Sequence, residues 1–468
     1  MSSANTILIR NGTLVTSECS FPADVHIEGE RIVEVGRSLS GTEESLVINA
    51  TGLLVLPGGV DPHVHLSRRP SLPPEACEGD DFLSGSQAAA GGGVTTVGEI
   101  ASPEDDEGVL DTIDRVEAEV FSKSMVDVFV HPVLGSATRK LEQISKLPYR
   151  GQPSLKIFLM DPTLAEDPAS LRRAVQHAAE AKVAVLFHCE AHSELSAARE
   201  ALRQQGKTSL RYLPESRPVS AEVRATEQAI NLCRTTGATG HIVHISCAQA
   251  LALCSEARVE GLPLHTETRP EFLLLTTACH RGEDAKLHVM IPPLREDADR
   301  EALWCGLGDR SLDLVATDDA AFWPKAQKLA APDSFEELRM GLSGLELFRP
   351  LLFSEGVRKG RISAERFVEI TATAAAQIFG LYPRKGTIAV GADADLVLWD
   401  PQETRTVSAD DLISLTGFAI YEGWRVTGWP RMTLRRGEIV YRDGEICASP
   451  GSGILVDRRT VQSCANRP

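Results

Sequence analysis

The 468-residue chain has ten cysteines and no C-x-x-C pair among them. That spacing builds neither a disulfide scaffold nor a zinc finger, so free thiols in a reducing compartment are expected. No apolar run approaches the roughly 20 residues of a membrane span. The opening Met1-Ser2-Ser3-Ala4-Asn5 lacks the basic start and long apolar core of a secretion signal. Basic residues are in deficit, 48 Lys and Arg against 65 Asp and Glu for a net charge of −17, and no basic stripe is interleaved with aromatics. A phosphate backbone is therefore not the expected partner. Low-complexity segments are missing too. A cytoplasmic protein that binds neither membrane nor nucleic acid is expected.

What is present is apolar patterning sufficient for one large domain and a smaller one, with 43% hydrophobic residues. The first fifty residues read as short strands and tight turns. Val25-His26-Ile27 and Ile32–Val35 flank Glu28-Gly29-Glu30-Arg31, a hairpin signal with His26 facing solvent by alternation. From Leu53 on, eight apolar strands alternate with helical stretches: Leu53–Val60, Val94–Ile100, Val126–Leu134, Ser154–Leu159, Val183–Phe187, His241–Ile245, Pro263–Thr268 and Leu312–Ala316. Helices are expected at Ser170–Lys182 and at Ser220–Thr236, the latter opened by Ser220 and closed by Gly237. Eight such units in one run predict a (β/α)8 TIM barrel, although two stacked α/β domains share the pattern. After Lys385 the glycines and the alternating Leu396-Val397-Leu398-Trp399 return the chain to β structure. The expected organisation is a small β-sandwich from residues 1–56 and 385–468 around a barrel of residues 57–384. The tail beyond Gly453 is expected to be frayed or docked on a partner.

The chemistry-bearing residues fall at predicted strand ends, where barrel enzymes carry their active sites. Asp61-Pro62-His63-Val64-His65 follows the first barrel strand, and two histidines at i and i+2 in extended chain point the same way. His188, His244 and Asp318 occupy equivalent positions, and Lys156 stands alone among aliphatics. A buried lysine is costly unless paired or chemically altered. Nitrogen and carboxylate donors of this kind suit zinc, with manganese, cobalt, nickel or iron as alternatives. His131, His241 and His265 read as structural.

With Asp80-Asp81-Phe82, Gly92–Thr96, Pro292-Pro293-Leu294-Arg295, Ala316-Thr317-Asp318 and the run Ile378–Ile388, the chain resembles the cyclic amidohydrolases of the amidohydrolase superfamily, most closely the dihydropyrimidinase/hydantoinase branch. The resemblance implies a binuclear centre. His63, His65 and Asp318 would hold one metal, His188 and His244 the other, and Lys156, N-carboxylated by carbon dioxide, would bridge them. It implies opening of the amide bond of a cyclic ureide or imide by a hydroxide between the metals, with Asp318 as proton shuttle, in a homotetramer or homodimer. The alternatives are an amidohydrolase acting on another C–N bond, such as allantoin or an acyclic amide, and a non-catalytic scaffold.

Several positions depart from that branch. Its oxyanion tyrosine is Asp161 here, and an anion cannot donate to a developing oxyanion. Its Met-Ser-Pro-Pro becomes Met290-Ile291-Pro292-Pro293, its Thr-Asn-Pro pattern becomes Thr373-Ala374-Ala375, and its Glu-Thr-Cys-Pro becomes Glu267-Thr268-Arg269-Pro270. The histidine that often follows the metal aspartate is Asp319. Asp161, His192, Arg269, Ile291 and Ala374 are thus the expected substrate contacts. Arg269 either receives an acidic ring substituent or pairs with Asp161, Glu267 or Asp319.

Overall fold

The computed structural model describes residues 6–41, 45–67, 79–104, 106–135 and 140–458. Five N-terminal strands, β1 (Thr6–Val15), β2 (Ser20–Glu28), β3 (Arg31–Gly36), β4 (Leu46–Asn49) and β5 (Leu54–Pro57), join four near the other end of the chain. The strands run on through β6 (Gly59–Val64), β7 (Val94–Ala101), β8 (Asp127–Pro132), β9 (Ser154–Phe158), β10 (Ala184–His188), β11 (Gly240–Ile242), β12 (Leu264–Thr268) and β13 (Leu314–Val315). The last four are β14 (Leu396–Thr406), β15 (Arg425–Arg435), β16 (Glu438–Arg442) and β17 (Glu445–Ile446). β5 is the seam: it lies parallel to β1 and antiparallel to β14, so both chain ends share one nine-stranded sheet. That sheet folds around its own core, with Ile9, Val25, Val55, Leu396 and Leu434 buried together.

β6 to β13 are all parallel, in two groups of three and five. Two parallel bridges close them into the eight-stranded barrel: Val133 with Lys156, and Val64 with Asp319. The backbone N–H of Leu134 donates to Lys156 O, and that of His65 to Asp319 O, both at 2.8 Å. The strands read as continuous apolar runs because helices cover one face and the barrel interior the other.

The expected first barrel strand, Leu53–Val60, is in fact two strands. Leu54–Pro57 belongs to the sandwich, and the barrel strand starts at Gly59. Gly58 makes the transition. Its N–H donates to Asp395 O, and a Cβ there would meet Thr95 Oγ1 at 2.2 Å. The β2–β3 hairpin forms with Glu28 opposite Arg31, but His26 is buried, since Ala23 to Ile27 are covered on both faces of β2. The helix Val219–Thr236 starts at an N-cap Pro218, with Ser220 inside it, and closes on Gly237 in the left-handed conformation as expected.

Of the tail expected to be frayed or docked on a partner, residues 454–458 pack on the barrel, and 459–468 lie outside the described residues. Ile454–Val456 pairs with Val128, and Arg458 inserts at the N-terminal end of β8, donating to Val130 O and Ser154 Oγ. Its guanidinium stacks 4.7 Å from the Phe129 ring centroid. Burial alone brings Arg458 down to about 9. The short apolar stretch Ile454-Leu455-Val456 thus adds to the apolar clusters of the barrel, and Arg458 anchors its end. At the same end, Lys385 Nζ lies 2.7 Å from both Asp127 and Asp395 and 3.2 Å from Asp393. These three carboxylates could encircle a cation, but the lysine ammonium, with Arg436 on Asp127, already fills that place.

Candidate metal centre and active site

Five of the eight barrel strands carry the six candidate residues, five of these residues at or near a C-terminal strand end and Lys156 in mid-strand. His63 lies near the end of β6 and His65 just beyond it; Lys156 is on β9, and His188 ends β10. His244 follows β11 by two residues, and Asp318 follows β13 by three. All six line one cavity of about 50 Å³, together with Phe158, Arg269, Met290, Ile291, Ala320, Phe322, Met340 and Gly341. Asp318 Oδ1 lies 2.8 Å from His65 Nε2 and 3.2 Å from His63 Nε2. The donor atoms of these three residues fall within 4.8 Å of one another. On the other side, the rings of His188 and His244 stand edge to face with centroids 4.6 Å apart, and His244 is 5.6 Å from His63. Lys156 is fully buried, its Nζ 5.2 Å from the Phe158 ring centroid.

Two of these residues hold left-handed backbone conformations: His244 at φ 40° and Asp318 at φ 47°. For a non-glycine residue such a conformation costs about 1–3 kcal/mol, and it persists only where surroundings fix it. Asp61 supplies part of the fixing for Asp318. Its Oδ2 accepts from Thr317 Oγ1 at 2.6 Å, while Thr317 Oγ1 accepts from the Asp319 N–H. Burial pushes the Asp61 carboxyl up to about 8. Glu99 does similar work for the chain after His65, accepting from Leu66 N, Ser67 N and Ser67 Oγ, and burial raises it to about 7. Asp319 turns to the Gly344 and Leu345 N–H groups, with burial pushing it to about 7.

The outer carboxylates that orient the imidazoles were not singled out from the sequence. Glu267 bridges His63 Nδ1 at 2.7 Å and His241 Nε2 at 2.9 Å. Burial would raise it, yet the two histidines bring it down to about 2. Glu190 accepts from His188 Nε2 at 2.8 Å and is clamped by Arg217. A carboxylate two residues after a strand-end histidine, as in His188-Cys189-Glu190, was the available signal for one of them.

Of the expected substrate contacts, Ile291 and Arg269 line the cavity. Asp161 does not. It caps the short helix Pro162–Glu166, accepting from Thr163 N and Leu164 N. His192 sits at the start of the helix His192–Gln204, with Nδ1 3.3 Å from Met160 O, and is not part of the cavity wall. Ala374 is buried with Phe129, Phe379 and Val60 in an apolar cluster and is also absent from the wall. Arg269 pairs with neither Asp161, Glu267 nor Asp319: its Nε donates to Glu271 at 3.0 Å and its Nη1 to Asp318 at 2.7 Å.

The family model for the amidohydrolase family matches residues 54–440. The chain belongs to the amidohydrolase family. Within it, the dihydropyrimidinase/hydantoinase branch is the match. A D-hydantoinase of Geobacillus stearothermophilus is 37% identical over 462 residues, covering 97% of this chain and 96% of that relative. A D-phenylhydantoinase of Escherichia coli is 33% identical over 460 residues, covering 97% and 98%. The crystal structure of a dihydropyrimidinase from Brevibacillus agri superposes with a TM-score of 0.93 at 34% identity, over 99% of this chain and 100% of that one. Among the described residues, no helix of this family member is long and apolar enough to cross a membrane.

Proposed function

We propose that the protein is a metal-dependent hydrolase that opens the amide bond of a cyclic ureide or imide, as the names of its hydantoinase and dihydropyrimidinase relatives indicate for them. The observation that carries this reading is the convergence of four imidazoles, a buried lysine and an aspartate on one cavity at the strand ends. In this reading His63, His65 and Asp318 would hold one metal and His188 and His244 a second, and Lys156, as its carbamate, would supply an anionic ligand. A homotetramer or homodimer in the cytoplasm is part of the reading and rests on the resemblance alone.

The donor set fits divalent metals. Glu267 occupies His63 Nδ1 and Glu190 occupies His188 Nε2, which leaves the opposite ring nitrogen of each for a metal. Metal ligation needs neutral imidazole. Burial favours it, pushing His188 below and His244 well below the ordinary histidine value. A nitrogen and oxygen donor set suits zinc, with manganese, cobalt, nickel or iron as alternatives. When bound, the two metals acidify water into a nucleophile at neutral pH and polarise the ring carbonyl.

The chain's own groups do the rest. Burial would raise Asp318, but His63, Arg269 and His65 hold it well below the usual carboxylate range. It therefore enters the reaction as an anion, takes the proton of the attacking water, and passes it to the departing ring nitrogen. The Arg269 guanidinium on its Oδ2 also favours release of that proton in the second step. Phe158, Met290, Ile291, Phe322 and Met340 form apolar walls that exclude bulk water from the exchange.

Glu267 provides a test of the orienting layer. Glu267→Gln keeps the shape but removes the charge facing His63 and His241, and about a 10- to 100-fold loss of metal affinity or kcat is expected. Metal titration and turnover of the variant check it; unchanged values would remove Glu267 from this role. The function itself is tested by ring opening of hydantoins, dihydropyrimidines, allantoin, dihydroorotate and cyclic imides by metal-loaded protein. At least one ring is expected to open with kcat on the order of 1 per second or more. Metal-replete protein that cleaves acyclic amides alone, or nothing, would overturn the reading.

A further inference from the structure

We propose that Arg269 is a catalytic residue whose guanidinium stabilises the negative charge formed on the substrate's carbonyl oxygen. The inference rests on the ring-opening reading above. Addition of water to the ring carbonyl forms a C–O bond and moves the carbonyl π pair onto oxygen. Collapse restores the carbonyl and breaks the ring C–N bond. One proton of the water ends on the ring nitrogen, and the other is lost from the new carboxylic acid. Hydrogen-bond donors fixed in advance around the charged oxygen are commonly the largest single contribution to such reactions.

The cavity wall offers few side chains for that task. Among the described residues, outside the six assigned to the metals, every wall side chain but one is apolar or a glycine. The exception is Arg269. Asp161, at the helix cap, is outside the wall and carries no donor. Arg269 is 2% exposed and anchored through two of its three nitrogens, Nε on Glu271 and Nη1 on Asp318. Its third, Nη2, is buried and has no hydrogen-bond partner among the described residues. An unmatched buried N–H on a permanently charged group is costly to keep, and a site that uses it gives the reason. The anchoring also fixes the plane of the fork, with Nη1 on the carboxylate that exchanges protons with the attacking water and the ring nitrogen.

Charge decides between two uses of this donor. Glu271 and Asp318 already offset the guanidinium, so a substituent carboxylate would face two carboxylates as well as one arginine. A single oxygen whose charge develops only during reaction suits the one unpartnered nitrogen, Nη2, better. The expected acidic ring substituent is therefore disfavoured, and the donor is assigned to the reacting oxygen.

The test compares metal-replete wild type, Arg269→Met and Arg269→Lys on whichever ring the wild type opens. For Arg269→Met, kcat is expected to fall roughly 10²- to 10³-fold, as for loss of one oxyanion donor. KM should stay within about threefold, because the contact is made mainly in the transition state. Metal content should be unchanged, and added guanidinium ion should restore part of the Met variant's activity. Arg269→Lys should keep more activity than Met. Calorimetric binding of the ring-opened carboxylate product should weaken about ten- to a hundredfold in the Met variant, for loss of a hydrogen bond to a charged group. A Met variant with kcat within threefold of wild type, or one whose loss follows metal loss without guanidinium rescue, overturns the inference. A wild type that opens no ring refutes the ring-opening reading and this inference with it. An active wild type with an equally active Met variant refutes this inference alone.

Discussion

Lys156→Ala protein is expected to lose most of its metal and to fall in kcat by more than about 100-fold, beyond what loss of an outer-layer partner causes. Lys156 is fully buried on β9, directly beside Leu186 of β10, and shares the cavity wall with His63, His188 and His244. As an ammonium it would stand among neutral imidazoles that themselves have to bind cations, and burying a charge there is expensive. As a carbamate it becomes an anion with two oxygens, able to reach both sides of the donor set. Alanine removes that anion and leaves a gap of the length of the side chain. Small carboxylic acids such as acetate or propionate fit the gap and are expected to restore part of both metal content and turnover. Metal analysis with and without the acid, beside the rate, checks the claim. A metal-replete and active Lys156→Ala would contradict it.

Asp318→Asn is expected to keep an oxygen near the metals while losing the base, and to lower kcat by about 10²- to 10⁴-fold, the usual range for general acid–base catalysis. The variant also removes the anion that faces His63, His65 and Arg269. Metal content is therefore measured alongside the rate, so that loss of the proton carrier is separated from loss of a ligand. Near-normal turnover by a metal-replete Asp318→Asn would remove the proton shuttle from the mechanism.

The barrel and the six residues at its strand ends were legible because both signals are local. A buried parallel strand reads as an apolar run, and a polar residue closing such a run stands out against it. His63, His65, His188, His244 and Asp318 stood out in that way and Lys156 as a lone lysine inside an apolar run, and the structure brings them to one cavity. What was not legible depends on distant pairing. Glu267 orients His63 across 204 residues of sequence, and Arg269 reaches Asp318 across 49. No local pattern announces either contact. Ala374 was matched to a pocket position by its motif, but the residues that follow it, through Phe379 and Leu381, pull it into an apolar cluster away from the wall. The split at Gly58 was hidden because strands of the sandwich and of the barrel are equally apolar, and only pairing partners distinguish Leu54–Pro57 from Gly59–Val64.

Metal content of the purified protein, followed through chelation and reconstitution while ring opening is assayed, tests the account most directly. Two divalent ions per chain are expected, with activity lost when they are removed and regained when zinc or a similar ion is returned in the presence of bicarbonate. Ring opening by protein stripped of metal, or a fully folded chain that takes up no divalent ion, would contradict it.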